Sequence, residues 1–164
     1  MTWPTVVRDA LLRSNAEEAL EVVLDADLAG AHSYLLFDAT GSGYMVEGMP
    51  TARPWASLDG DALVHTNHTI WDDATAVQAQ RPADLTASSV RRLKRATDLL
   101  DRDGISADDC MAITRDPDSI CRESDDPHHI ESSGAVVMRP RTQDFWAVWG
   151  VPSHNEYVHI PFPG

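Results

Sequence analysis

Cysteine, lysine and long apolar runs are what this sequence has least of. Its only cysteines are Cys110 and Cys121. Two cysteines make no disulfide framework, and no metal-type cysteine pair is present. No apolar run approaches the roughly 18 residues that a membrane span needs. The start, Met1-Thr2-Trp3-Pro4, shows no basic region followed by an apolar stretch, so no secretory signal is visible and a cytoplasmic location is expected. Lys94 is the single lysine, and the other basic residues, histidine aside, are arginines. Arginine is the better clamp for carboxylates. Positive charge is short overall. The formal net charge of -13 argues against nucleic acid and anionic membranes as partners. Phosphate-binding glycine loops are missing, and no nucleophile-elbow pattern anchors a Ser-His-Asp arrangement. There is no internal repeat and no low-complexity segment.

What is present is enough for a core. The 164 residues, 43% of them hydrophobic, fit one compact domain spanning residues 1–164. Pro4 suits a first helical turn, with Val6, Val7, Ala10 and Leu11 on one face. Asn15 reads as an N-cap with Glu18 in the capping-box position, opening a second helix through Leu24. The period then changes. Tyr34-Leu35-Leu36-Phe37, a turn through Gly41 and Gly43, and Tyr44-Met45-Val46-Glu47 predict a hairpin. Short strands are expected near Ala52–Trp55 and Ala62–Thr66, the first made edge-like by Pro50 and Pro54. A third helix is expected from near Thr86, with Val90, Leu93, Thr97 and Leu100 at helical spacing, and a fourth capped by Ser106. Strands close the chain at Gly134–Met138, Phe145–Trp149 and Tyr157–Ile160. Antiparallel hairpins outnumber crossover units, so the class is α+β.

The sharpest local feature is His65-Thr66-Asn67-His68 after the apolar run Ala62-Leu63-Val64. On a strand, residues three apart point to opposite faces, so His65 and His68 would not share a metal ion. No metal site is expected. The Asn67 carboxamide could instead donate to a developing oxyanion, which lowers an acyl-transfer barrier by about 3 kcal/mol. From the residues alone, a structural asparagine in a turn is the simpler reading. Gly104 in a calcium loop would place Leu99 and Cys110 at ligand positions, which excludes that site. His128-His129 belongs to a polar surface loop from Ser124 to Glu131. Cys121 reads as a half-buried structural thiol beside Arg122, and Cys110 as core.

The ordered segments together carry a resemblance. They run from Pro4-Thr5-Val6-Val7-Arg8 through Leu11-Leu12-Arg13 to Glu18-Ala19-Leu20, then Ser33-Tyr34-Leu35-Leu36 with Asp38 and Gly41, and Val46-Glu47. Leu63-Val64-His65-Thr66-Asn67-His68 follows, then Ser89 to Arg92, Leu93 and Arg95, then Asp116 and Ile120-Cys121-Arg122. Ser133 to Met138 and Gly150-Val151-Pro152 before Glu156-Tyr157 complete the series. In order and spacing the chain resembles the acyl-coenzyme A:6-aminopenicillanic acid acyltransferase (isopenicillin N acyltransferase) family of N-terminal nucleophile hydrolases. The resemblance covers only the C-terminal part of a member, the portion that belongs to a β subunit.

The resemblance implies an incomplete αββα sandwich lacking the nucleophile strands. It implies a cysteine made N-terminal by self-cleavage, whose own amine is the base. Neither Cys110 nor Cys121 matches that cysteine. Exposure of Thr2 by loss of Met1 does not replace it, because Thr2 falls just before a helix. Asn67 would be the oxyanion donor, and His65, Thr66 and His68 would shape its pocket. Arg122 and the 123–132 loop would lie near the substrate. No cofactor is implied. The expected partners are a small-molecule acyl donor or amide substrate, a complementary chain carrying the nucleophile, and a second copy of this chain. The contrasting expectation is a non-catalytic ligand-binding or regulatory domain that keeps the scaffold.

Overall fold

The computed structural model describes residues 1–60, 62–124 and 129–162. Its contacts divide the chain into two compact units, Met1–Ser89 and Val90–Gly164.

The first unit begins with α1 (Trp3–Ala10) and α2 (Ala16–Asp25). Pro4 sits in the first turn of α1, where its missing N–H has no helical partner to lose. The carboxamide oxygen of Asn15 caps α2 by accepting from the Glu18 N–H at 2.9 Å, and Glu18 reaches back to the Ser14 N–H at 3.0 Å. The hairpin follows as β1 (His32–Phe37) and β2 (Gly43–Gly48), with β3 (Trp55–Ser57) antiparallel on the other side of β2. Gly41 turns the hairpin at a φ of 98°. Asp38 ties this turn to α2 by accepting from Thr40 and from the Ala16 N–H at 3.0 Å.

Strand alternation sorts the sheet into two faces. Tyr34, Leu36, Tyr44 and Val46 meet Val6, Leu20 and Val23 of the two helices and form the core. Gly48 closes this packing, since a β-carbon there would stand 2.9 Å from the Tyr34 ring and 3.0 Å from Leu28. Leu35, Met45 and Glu47 point the other way. Met45 and Glu47 are buried on that face, whereas Leu35 and the neighbouring Phe37 are exposed.

Three local expectations change. Leu11 lies past the end of α1 and is exposed, so it does not share the buried face of Val6 and Ala10. Of Ala52–Trp55 only Trp55 belongs to a strand. Residues 62–66 form no strand at all; the His65 and Thr66 side chains instead bond Glu47 and Ser89. A four-residue helix, α3 (Asp72–Thr75), follows it.

The boundary between the units falls inside α4 (Ala83–Leu100). The buried residue of that helix is Ser89, and the expected apolar stripe is weak, with Val90 about half exposed. The second unit continues with α5 (Ala107–Thr114), opened by a complete capping box between Ser106 and Asp109. A second antiparallel sheet follows as β4 (Gly134–Arg139), β5 (Asp144–Trp149) and β6 (Val158–His159). α5 packs on β4. Val137 and Val148 are buried, while Val136, Met138 and Val158 on the alternate face are exposed. Helices and antiparallel sheets confirm the α+β class. Among the described residues no helix is long and apolar enough to cross a membrane.

Candidate functional site

Residues His65 to Trp71 form an irregular segment between two buried polar groups, one on β2 and one on α4. The first is the Glu47 carboxylate on β2, 2% exposed. It takes His65 Nε2 at 2.7 Å, the Ile70 N–H at 2.7 Å and the Trp71 N–H at 3.3 Å. A carboxylate offers about four acceptor positions, so it can hold two backbone donors and an imidazole together. The second group is Ser89, fully buried in α4. Its Oγ accepts the Asn67 N–H at 2.8 Å and lies 2.8 Å from His68 Nδ1. It also donates to Thr66 Oγ1 at 3.0 Å, and Thr66 donates in turn to the Ser89 carbonyl at 3.0 Å. A third hold comes from Arg81, whose guanidinium donates to the Asn67 carbonyl.

Both backbone polar groups of Asn67 are therefore occupied, while the residue as a whole is exposed. The physical effect is a fixed backbone under an outward-facing carboxamide-bearing residue. His65 is turned inward, its side chain 7% exposed against Glu47. Thr66 and His68 are half-buried on Ser89. The structure brings His65, Thr66, Asn67 and His68 together on one short segment. Glu47 and Ser89 fall in segments that carry the family resemblance, but nothing in the sequence around them assigns either a role. A lone glutamate in a strand otherwise apolar through Val46 was the available signal for Glu47. Ser89 offered none, since its neighbour Ser88 is chemically identical.

Two open grooves also lie in this unit. One, of about 390 Å³, is bordered by Asp9, Arg13, Glu18 and Asp25. The other, of about 630 Å³, is bordered by Arg53, Trp55, Trp71 and Asp73. Asn67 borders neither. Arg53 donates to the Leu24 carbonyl at 2.6 Å and the Ala26 carbonyl at 2.5 Å, so it closes the C-terminal end of α2.

Arg122 belongs to the second unit. Its N–H donates to Ser132 Oγ at 3.0 Å and its carbonyl accepts from the Ser132 N–H at 2.8 Å. This two-way bond closes the base of the 123–131 loop. His128 lies outside the described residues; His129 is exposed with a φ of 48°. Asp116, 7% exposed, receives Arg95 Nε at 2.9 Å and Nη2 at 2.5 Å. That guanidinium holds the Asp116 carboxyl below the usual carboxylate range.

The two thiols are not alike. Cys121 is buried, 3.5 Å from Ser153 Oγ. Burial, and then the Asp109 carboxylate, push the Cys110 thiol up, away from the thiolate form that attacks carbonyls.

Comparison with known families decides the lineage. The chain matches the family model of acyl-coenzyme A:6-aminopenicillanic acid acyl-transferase over residues 5–154. It belongs to that family. The match takes in both units, and it contains the 65–71 segment with its two buried anchors. Acyl-coenzyme A:6-aminopenicillanic acid acyl-transferase membership carries an acyltransferase- or hydrolase-like function as its coarse reading. No curated protein matches the chain.

Proposed function

We propose that this chain supplies the oxyanion-stabilising part of a cysteine-dependent acyltransferase or amidohydrolase that acts on thioester or amide bonds. Asn67 is the donor to the tetrahedral oxyanion. His65, Thr66 and His68 shape its surroundings, and Arg122 with its loop contacts substrate. The attacking sulfur is that of a cysteine other than Cys110 and Cys121. The observation that carries this reading is the pinned backbone of an exposed Asn67, because a donor works best when its geometry is set before charge develops. The exposed apolar faces bearing Leu35 and Phe37, and Val136 and Met138, support association with a nucleophile-bearing chain or with a second copy.

The test uses an acyl-coenzyme A thioester with 6-aminopenicillanic acid as acceptor, and a chromogenic anilide as amide substrate. It is run on the protein as its gene encodes it, with light scattering to record its assembly state. Asn67→Ala should lower kcat by about 10²–10³-fold if the carboxamide is the oxyanion donor. Full turnover in that variant removes Asn67 from the chemistry. A second reading is favoured by the thiols themselves: with Cys110 pushed up and Cys121 buried, neither is an activated nucleophile. In that reading the chain is a non-catalytic domain that binds acyl or amide ligands. Saturable binding of the thioester without thiol-dependent turnover would select it.

A further inference from the structure

We propose that Glu47 and Ser89 are positioning residues that act together to set the direction of the Asn67 carboxamide. This rests on the reading of Asn67 as an oxyanion donor. The geometry is specific. Glu47 holds the segment at His65, Ile70 and Trp71, and Ser89 holds it at Thr66, Asn67 and His68. The two anchors come from different elements, β2 and α4, and both are almost wholly buried. Each is therefore sheltered from water that would compete for its hydrogen bonds.

The choice of chemistry follows from what the segment lacks. Residues 65–71 form no ladder, so the Asn67, Ile70 and Trp71 N–H groups need acceptors from elsewhere. A carboxylate is the one side chain that accepts several donors while offering none. Glutamine at 47 would turn one of those acceptors into a donor facing a backbone N–H. A serine hydroxyl does the complementary work at 89. It accepts from Asn67 and donates to Thr66, which fixes the order of the chain of hydrogen bonds. Loss of Ser89 would free the Asn67 N–H, and loss of Glu47 would loosen the segment on either side of it, at His65 and at Ile70 and Trp71, leaving the sheet and helices as they are.

Amide hydrogen exchange on the 15N-labelled full chain reads the anchors directly. In the unmodified protein the Asn67, Ile70 and Trp71 amides should be protected, although none belongs to a strand. Exchange at chain-like rates there overturns the proposal with no substitution made. Ser89→Ala should raise exchange at Asn67 at least tenfold, and Glu47→Gln should do so at Ile70 and Trp71. Paired β1–β2 amides serve as the internal record that the fold persists. Ser89→Thr, which keeps the hydroxyl, should retain protection. The decisive signature is 15N relaxation of the Asn67 side-chain amide. It should report an ordered group in the unmodified protein and a mobile one in both Ser89→Ala and Glu47→Gln. An unchanged Asn67 side chain in both variants overturns the positioning role, whatever the turnover assays give. If the side chain loosens as expected while Asn67→Ala keeps full turnover, the anchoring stands and the oxyanion reading falls.

Discussion

In Met1–Ser89, Val6, Val23 and Val46 are wholly buried and the helices pack on one face of a sheet. Among the described residues of Val90–Gly164 the buried apolar set is sparser, with Met111, Val137, Val148 and Pro152 among its members, and arginines do much of the fastening. Arg95 grips Asp116, and Arg139 grips Asp144. Arg115 donates to the Pro152 and Asn155 carbonyls and lies over the Tyr157 ring. The difference teaches that one chain uses two kinds of holding force. Apolar burial is non-directional and insensitive to pH, whereas a guanidinium–carboxylate pair depends on geometry and ionisation. Polar anchors do occur in the first unit, at Glu47 and Ser89, but there they fix a segment rather than the core.

The largest effect should follow from cutting into the apolar core of the first unit. Leu20, 5% exposed, faces Val23 and Val46. Leu20→Ala should cost about 2–5 kcal/mol through lost burial and the cavity left behind. Denaturant unfolding with fluorescence and amide exchange measures it. A loss under 1 kcal/mol would mean that the first unit does not depend on this core, and the contrast between the units would fail.

Acid should separate the units next. Folding lowers the Asp116 pKa through the Arg95 hydrogen bond, and takes Asp109 and Asp144 to about 2 through Ser106 and Thr142 respectively, aided by arginines. In the first unit Asp38 is likewise at about 2, chiefly through Thr40. A carboxyl whose pKa is lower when folded adds stability above its unfolded value of roughly 4. That stability fades as pH falls through the folded value. As pH falls below about 4 the second unit therefore gives up three such contributions, those of Asp109 and Asp144 down to about pH 2, and the first gives up one, among the described residues with a resolved shift. Amide exchange at pH 5 and pH 2.5 should show greater loss of protection in β4–β5 than in β1–β2. Asp116→Asn should weaken the second unit by about 1–2 kcal/mol at neutral pH, since the Arg95 fork and the Ser119 N–H lose a charged acceptor. Equal acid sensitivity in the two sheets would break the comparison.

What the sequence could reveal tracks the range of the interactions. The Asn15 cap, the Ser106 capping box, the β1–β2 hairpin and the β4–β5 pair are local, and the residues that make them are neighbours in the chain. The family, too, could be read from ordered short segments, and the match over residues 5–154 bears it out. Residues 62–66 were misread because Ala62-Leu63-Val64 has strand composition. What holds the segment is distant: Glu47 takes the His65 side chain, and Ser89 takes the Thr66 side chain and the Asn67 N–H. Their partners lie 18 to 24 residues away, where no periodicity rule reaches. Val90 misled for a related reason. The helical spacing was real, but α4 places Ser89 rather than Val90 in its buried position.

The smallest effect isolates what makes an ion pair matter. Lys94 and Arg95 are adjacent in α4 and both face a carboxylate. Lys94 pairs with Asp98 one turn on, their side chains 75% and 54% exposed. Arg95 reaches Asp116, which is 7% exposed. Water and salt screen the first pair, and ordering two long side chains offsets its attraction, so Lys94→Ala should change stability by less than about 0.5 kcal/mol. Arg95→Ala should cost more, because it takes the guanidinium from a buried carboxylate and leaves it the Ser119 and Ile120 backbone groups. The two variants are compared by denaturant unfolding at low and high salt; the pairs differ most in the burial of the acceptor, and Arg95 also makes two bonds to Asp116 and a further contact to exposed Asp118. A Lys94→Ala loss equal to that of Arg95→Ala would mean that the second unit answers to its total surface charge. The single buried acceptor would then not explain why arginine, and not lysine, does its fastening.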